Sequence, residues 1–228
     1  MKKKKYLIIA GIIVILVVAA LIIIFNVPPN AKKVPQALSE GFAGDGRFEF
    51  SCMVETGGES REYFWLTGET NGEKRHIEGR VLGSPGELYY VDGQIYRYDM
   101  IAGEWYCYTA EDLAQAAELY AELEPAAAFT YESLIEIEYL GRGRAEGRTC
   151  YNFSVLPVAT GWVADFFTDI KYIVSLSRWG ELITAELVAT LKDDPETTMR
   201  AFVILEEANN IQIEAPPCNE AKNSNSTS

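Results

Sequence analysis

The chain has 228 residues, 48% apolar and 23% charged, a balance that suits one globular domain with a segment attached and excludes a largely disordered protein. Its 20 Lys and Arg stand against 33 Asp and Glu, and a net charge of −13 excludes a nucleic-acid partner, because phosphate binding needs clustered cations. A single His and four scattered Cys exclude most zinc, haem and Cys/His chemistry, so neither a metal nor a cofactor is expected.

Lys2 to Lys5 precede an uncharged apolar run, residues 6–27, that ends at Pro28 and Pro29. As a helix this run would span about 33 Å, enough for a hydrocarbon core of roughly 30 Å. The lysines ahead of it, with only Lys32 and Lys33 close behind, put residues 1–5 in the cytoplasm and the main domain outside it. The competing reading is a cleavable signal peptide using the small residues Val18-Ala19-Ala20. The apolar run continues through Leu21 to Phe25, however, and exceeds the about 7–15 residues usual for such a peptide. A single-pass signal anchor in the cell membrane is therefore expected, and either reading exports the rest. With the four tail lysines removed, 16 cations face 33 anions, a charge of −17 that an anionic lipid surface would repel.

Residues 28–46, with Pro35, Gly41, Gly44 and Gly46, read as a linker with one helical turn around Gln36 to Glu40. The domain proper is expected over 47–217, followed by a polar, disordered tail, 218–228. Arg47 to Glu55 alternates, with Phe48, Phe50, Cys52 and Val54 on one face, and reads as a half-buried strand. A second strand, Arg61 to Thr67, sets Tyr63 and Trp65 on one side. A third, Lys74 to Leu82, sets Ile77 and Val81 opposite Lys74, His76, Glu78 and Arg80, which makes His76 part of a solvated charged face. Asp92-Gly93 predicts a tight hairpin within Glu87 to Tyr98, and Glu104 to Tyr108 follows as a strand. From Thr109 the period becomes helical, with a capping pattern at Thr109 and Asp112 and a stripe of Leu113, Ala116, Ala117 and Tyr120.

A short helical stretch near Ala126 to Ser133 comes next, then strand alternation through Ile135, Ile137 and Tyr139. A Gly-rich turn, Gly141 to Gly147, leads to a strand carrying Tyr151, Phe153 and Val155, and a helical turn falls at Gly161 to Thr168. Lys171 to Leu176, Leu182 to Leu191, Thr198 to Leu205 and a short Ile211 to Glu214 complete the strands. About ten consecutive, hence antiparallel, strands interrupted by helices make an α+β fold, a large curved sheet with helices on one face.

Cys52, Cys107, Cys150 and Cys218 form an even set in an oxidising compartment, which allows two disulfides and three pairings; buried free thiols are the alternative. Alternation puts Cys52 and Cys150 on opposite faces, which argues against a direct bond between them. The candidate ligand-binding residues are the large side chains of the apolar face: Phe48, Phe50, Tyr63, Trp65, Ile77, Ile137, Tyr139, Tyr151 and Phe153. Such a face either packs on its helices or encloses an apolar cavity. No nucleophile elbow, phosphate loop or dinucleotide fingerprint occurs, so no catalytic residue is assigned and an enzyme is not expected.

The N-terminal apolar segment, the stretch Tyr90-Val91-Asp92-Gly93-Gln94-Ile95-Tyr96 followed by Trp105-Tyr106, and the helix opening Ala110-Glu111-Asp112-Leu113 come in a characteristic order. Tyr139-Leu140-Gly141 turning into Arg148-Thr149-Cys150-Tyr151 and the close at Asn210 to Pro216 complete it. This arrangement, from about Phe42 to Pro217, resembles the LolA/LppX-like lipoprotein-carrier superfamily. The resemblance implies a half-barrel of bent antiparallel sheet, helices on its concave side and an apolar cavity that in relatives holds acyl chains or whole lipoproteins. It brings no catalytic motif. This chain departs from lipid-anchored members in having no Cys near the end of the apolar run, and a tethered domain could not shuttle across an envelope. Two functions follow as expectations: a membrane-tethered domain holding a lipid, lipoprotein or other apolar ligand, or an envelope regulatory or structural protein that binds another protein and has no ligand cavity.

Overall fold

The computed structural model describes Val17 and residues 27–109, 124–208 and 210–220. The expected membrane segment (apart from Val17 and Val27) and the stripe of Leu113, Ala116, Ala117 and Tyr120 lie outside the described residues. Among the described residues no helix is long and apolar enough to cross a membrane.

Alternating side chains build two meanders. The first runs through β1 (Gly46–Thr56), β2 (Glu59–Asn71), β3 (Lys74–Val81), β4 (Ser84–Val91), β5 (Gln94–Asp99) and β6 (Glu104–Thr109). The second runs through β7 (Tyr131–Ala145), β8 (Arg148–Ala159), β9 (Phe167–Leu176), β10 (Leu182–Leu191) and β11 (Asp194–Glu206). Antiparallel pairing of β1 with β11 fuses them, and β12 (Asn219–Glu220) adds in parallel to β6. The result is one open sheet in the order β12-β6-β5-β4-β3-β2-β1-β11-β10-β9-β8-β7. The helices among the described residues are short: α1 (Lys33–Ala43), α2 (Pro125–Ala128) and α3 (Gly161–Phe166).

One face of this sheet, here the inner face, carries the main core. Phe50 on β1 pairs with Leu66 and Val203, and the row continues through Ala185, Val174 and Phe153 to Tyr139. Val34 and Leu38 of α1, Ala128 of α2 and Val163 of α3 are buried against this row, so all three helices cover the same face. β1 and β11 bury alternate residues, which lets the sheet satisfy its backbone and shed water from one side.

The outer face has a second, smaller core. Val91 and Tyr96 are buried with Ile211 and Ile213, flanked by Tyr89, Trp105 and Ala208. The C-terminal segment therefore crosses the outer face of β4–β6 as a strap. A disulfide between Cys107 of β6 and Cys218 pins it there, and Asn71 Nδ2 donates to the Ile211 carbonyl at 2.7 Å.

Several expectations change. Residues 33–43, read as linker, form a helix whose Val34, Ala37 and Leu38 enter the core. Pro35 is tolerated because it lies in the first turn, where its missing N–H breaks no bond. The seven-residue turn at Gly141 to Gly147 shrinks to Glu146 and Gly147, both at positive φ, and β7 runs on to Ala145 with a bulge between Tyr139 and Gly141. Asp92 and Gly93 turn with φ of 52° and 78°, as the hairpin pattern predicts. Ile211 to Glu214 is not a strand; its two isoleucines alternate because they plug the second core, not because they pair in the sheet. Of the two disulfides that the cysteine count allows, one forms, and Cys52 and Cys150 are buried free thiols on opposite faces.

Candidate functional site

The inner-face aromatics divide sharply. Phe50, Tyr151 and Phe153 are fully buried within the main core, with Phe48 and Ile77 buried at its margin and Ile137 partly buried beside it. The Phe50 ring lies 4.8 Å from that of Phe64, tilted by 55°, and Phe153 lies 5.4 Å from Tyr139, itself 42% exposed near the sheet edge. These residues pack as core, and Phe50 has no exposure among the described residues.

Tyr63 and Trp65 are not among them. Trp65 pairs with Ser51 and Arg80 on the outer face, where its indole N–H donates to Glu49 at 2.8 Å and the Arg80 guanidinium lies 5.8 Å from its ring. Tyr63 falls at a bulge opposite Cys52 and Met53 and is exposed. Tyr63-Phe64-Trp65-Leu66 is a continuous apolar run, so alternation alone could not tell which pair faces inward. The register with β1 selects Phe64 and Leu66.

An opening does exist at the end of the inner face, between α1, the start of α2 and the strand ends. It is a cavity of about 350 Å³, bordered by the expected residues Phe48 and Ile77 together with Ala37, Phe42, Leu182 and Leu205. The Phe48 ring lies over Gly68, its direct partner on β2, and a side chain at Gly68 would collide with that ring. The rim is polar and largely self-paired. Arg75 meets Glu124 at 3.5 Å, the Lys33 ammonium donates to the Trp179 carbonyl at 2.7 Å, and Arg148 donates to the Leu205 carbonyl at 3.4 Å. With its cations engaged along the rim, the cavity presents an apolar floor and a charged mouth, which suits an amphiphile better than an ion.

Deeper groups are chemically quiet. Burial pushes the Cys52 thiol up to about 12, and burial with the neighbouring Tyr131 phenol raises Tyr172 as well, so both stay protonated at neutral pH. The Tyr172 hydroxyl donates to the Thr130 carbonyl and that of Tyr131 to the Pro35 carbonyl, tying β9 and β7 to the helix ends that frame the opening.

Sequence reasoning missed the α1 wall and Leu205. The signal was present: Val34, Ala37, Leu38, Gly41 and Phe42 follow the i, i+3, i+4, i+7, i+8 rhythm of a buried helix face, masked by the Pro and Gly around them.

No protein-family model and no curated protein sequence matches the chain. Among solved structures it is similar to LprF from Mycobacterium bovis, with a TM-score of 0.50 at 10% identity, over 85% of this chain and all of that one. It also aligns with the lipoprotein LppX of Mycobacterium tuberculosis, with a TM-score of 0.46 at 9% identity, over 80% of this chain and 97% of that one. A LolA superfamily protein from Nitrosomonas europaea aligns with a TM-score of 0.36 at 7% identity, over 78% and 94% of the two chains. Likeness at this level of identity is a likeness of fold. The chain shares the fold of LprF, and its open antiparallel sheet is consistent with the half-barrel that the resemblance implies.

Proposed function

We propose that this protein is a membrane-tethered, extracytoplasmic binding domain that holds an acyl chain or similar apolar group in the cavity between α1 and the inner face of the sheet. The cavity itself carries the reading: about 350 Å³ of space with an apolar floor, at the lower end of the roughly 300–1,000 Å³ typical of ligand sites. That volume suits part of one chain better than a whole lipoprotein. The N-terminal apolar run supports the tether, with residues 1–5 in the cytoplasm and the domain outside the cell membrane. The −17 charge of the exported part keeps the domain off an anionic bilayer, so a ligand would arrive at the charged mouth, not by the sheet lying on lipid.

The tight packing around Phe50, Tyr151 and Phe153 favours a second reading, an envelope protein that binds a protein partner and uses the inner face only as core. Native mass spectrometry of the full chain, with organic extraction after detergent removal, separates the two. A retained acyl adduct that disappears on filling the space with Gln36→Trp, an exposed position on the cavity wall, supports the ligand site. An apo mass that takes up no added lipid sinks it and leaves the protein-binding reading.

A further inference from the structure

The outer face of β3 and β4 brings together donors that are far apart in the sequence. His76 and Glu78 are two residues apart on β3 and so share a face, while Glu87 on β4 lies directly across from Glu78. One donor atom from each of the three lies within 4.8 Å of the other two, and His76 Nε2 is already 3.0 Å from a Glu87 carboxylate oxygen. The imidazole is held in place: it stacks on Tyr89, its direct cross-strand neighbour, with ring centres 4.1 Å apart and planes 17° from parallel. Its side chain is only 19% exposed, so this is not the freely solvated His that the sequence suggests.

The charges around it are unbalanced in a specific way. Glu69 has Arg47 at 2.7 Å and Glu62 has Arg80 at 3.2 Å, so both of these guanidinium groups are engaged. Glu78 makes no hydrogen bond or ion pair among the described residues, yet it faces Glu87 across the ladder, and directly opposed like charges destabilise a sheet. A cation between them would remove that conflict. His76 and Glu78 also border an outer-face hollow of about 410 Å³, which leaves room for water or an exogenous ligand to complete a coordination shell.

We propose that His76, Glu78 and Glu87 form a binding site for a divalent transition-metal ion of the zinc class. One imidazole nitrogen with two carboxylate oxygens is a borderline-soft donor set that suits zinc, whereas calcium and magnesium favour all-oxygen shells. Tetrahedral zinc with ligands at 2.0–2.2 Å needs its donors about 3.4 Å apart, a small inward rotation of the exposed Glu78 side chain from the present spacing. The absence of paired Cys and His motifs concealed such a site, because its carboxylates come from two strands that only the fold aligns. It lies on the face opposite the cavity, so it stands apart from the ligand reading.

The chain contains one histidine, so its ring signals report on His76 alone. The test is a zinc titration of the full chain, labelled with ¹⁵N-histidine, followed by the imidazole nitrogen resonances. The expected result is a shift that saturates near one equivalent of zinc, with affinity lowered at least about tenfold in Glu78→Gln and in Glu87→Gln and unchanged in Glu59→Gln, an exposed carboxylate elsewhere on the surface. Ring signals that stay still at one equivalent, or that shift with the same affinity in all three variants, overturn the proposal. Either result would leave His76 in a simple hydrogen bond with Glu87.

Discussion

The two cores of this protein are stabilised by different means. The inner-face core collects side chains from β1, β2, β3, β8, β9, β10, β11 and all three described helices, and many of them, Phe50, Val155, Tyr172 and Leu187 included, have no exposure at all. Burial on that scale needs no covalent help. The outer-face core has only Val91, Tyr96, Ile211 and Ile213 at its centre, too little apolar surface to hold an irregular strap against its loss of chain entropy. There a disulfide closing a 111-residue separation does the holding. One sheet thus has a self-sufficient side and a stapled side, and the strap also covers the β6 edge through β12, where an unpaired strand would invite another chain.

The largest expected effect comes from breaking the self-sufficient side. Phe50→Ala removes a fully buried ring between Phe64 and the β11 row and should cost about 4 kcal/mol, read as a lowered denaturation midpoint. Trp162, packed against the main core, and Trp105, beside the second, allow the two regions to be followed separately by keeping one tryptophan at a time. Both should lose stability together, since the strap has no sheet to lie on once the inner core fails. Survival of the Trp105 signal through the main transition would contradict this dependence.

Opening the staple should be smaller and local. Cys107→Ser with Cys218→Ser is expected to cost about 2–4 kcal/mol and to expose residues 207–220 to proteolysis, with hydrogen-exchange protection in β8–β11 retained. Loss of protection across both meanders would show that the two cores are not separable in this way.

Alkaline pH sharpens the contrast further, because Cys52 belongs to the inner core alone. Its thiol is raised in the folded state from 9.0 to about 12, so it contributes stability that is intact below about pH 9 and is lost as pH rises toward 12. Near pH 10.5 the loss should be about 2 kcal/mol. The pH slope should flatten in Cys52→Ala and remain in the strap double mutant. An unchanged slope in Cys52→Ala would assign the alkaline loss elsewhere, with the buried Tyr172 phenol as the next group to test.

Phe48-Glu49-Phe50-Ser51-Cys52 could be read as a strand with its apolar face known, because strict alternation admits a single solution. Asp92-Gly93 declared its hairpin by backbone chemistry, and the opposed faces of Cys52 and Cys150 followed from counting residues along strands. Each of these depends on neighbours in the chain, and so does the apolar run before Pro28 from which a membrane anchor is read. Trp65 was illegible for the opposite reason: in an unbroken apolar run the inward residue is chosen by the partner strand, not by its own neighbours. The strap over β4–β6 and the choice of Cys218 for Cys107 were likewise settled only by packing across the fold. Periodicity is a local property and survives in one dimension; register, closure of a cavity and the meeting of His76 with Glu87 are properties of pairs distant in sequence, and only the folded sheet brings them together.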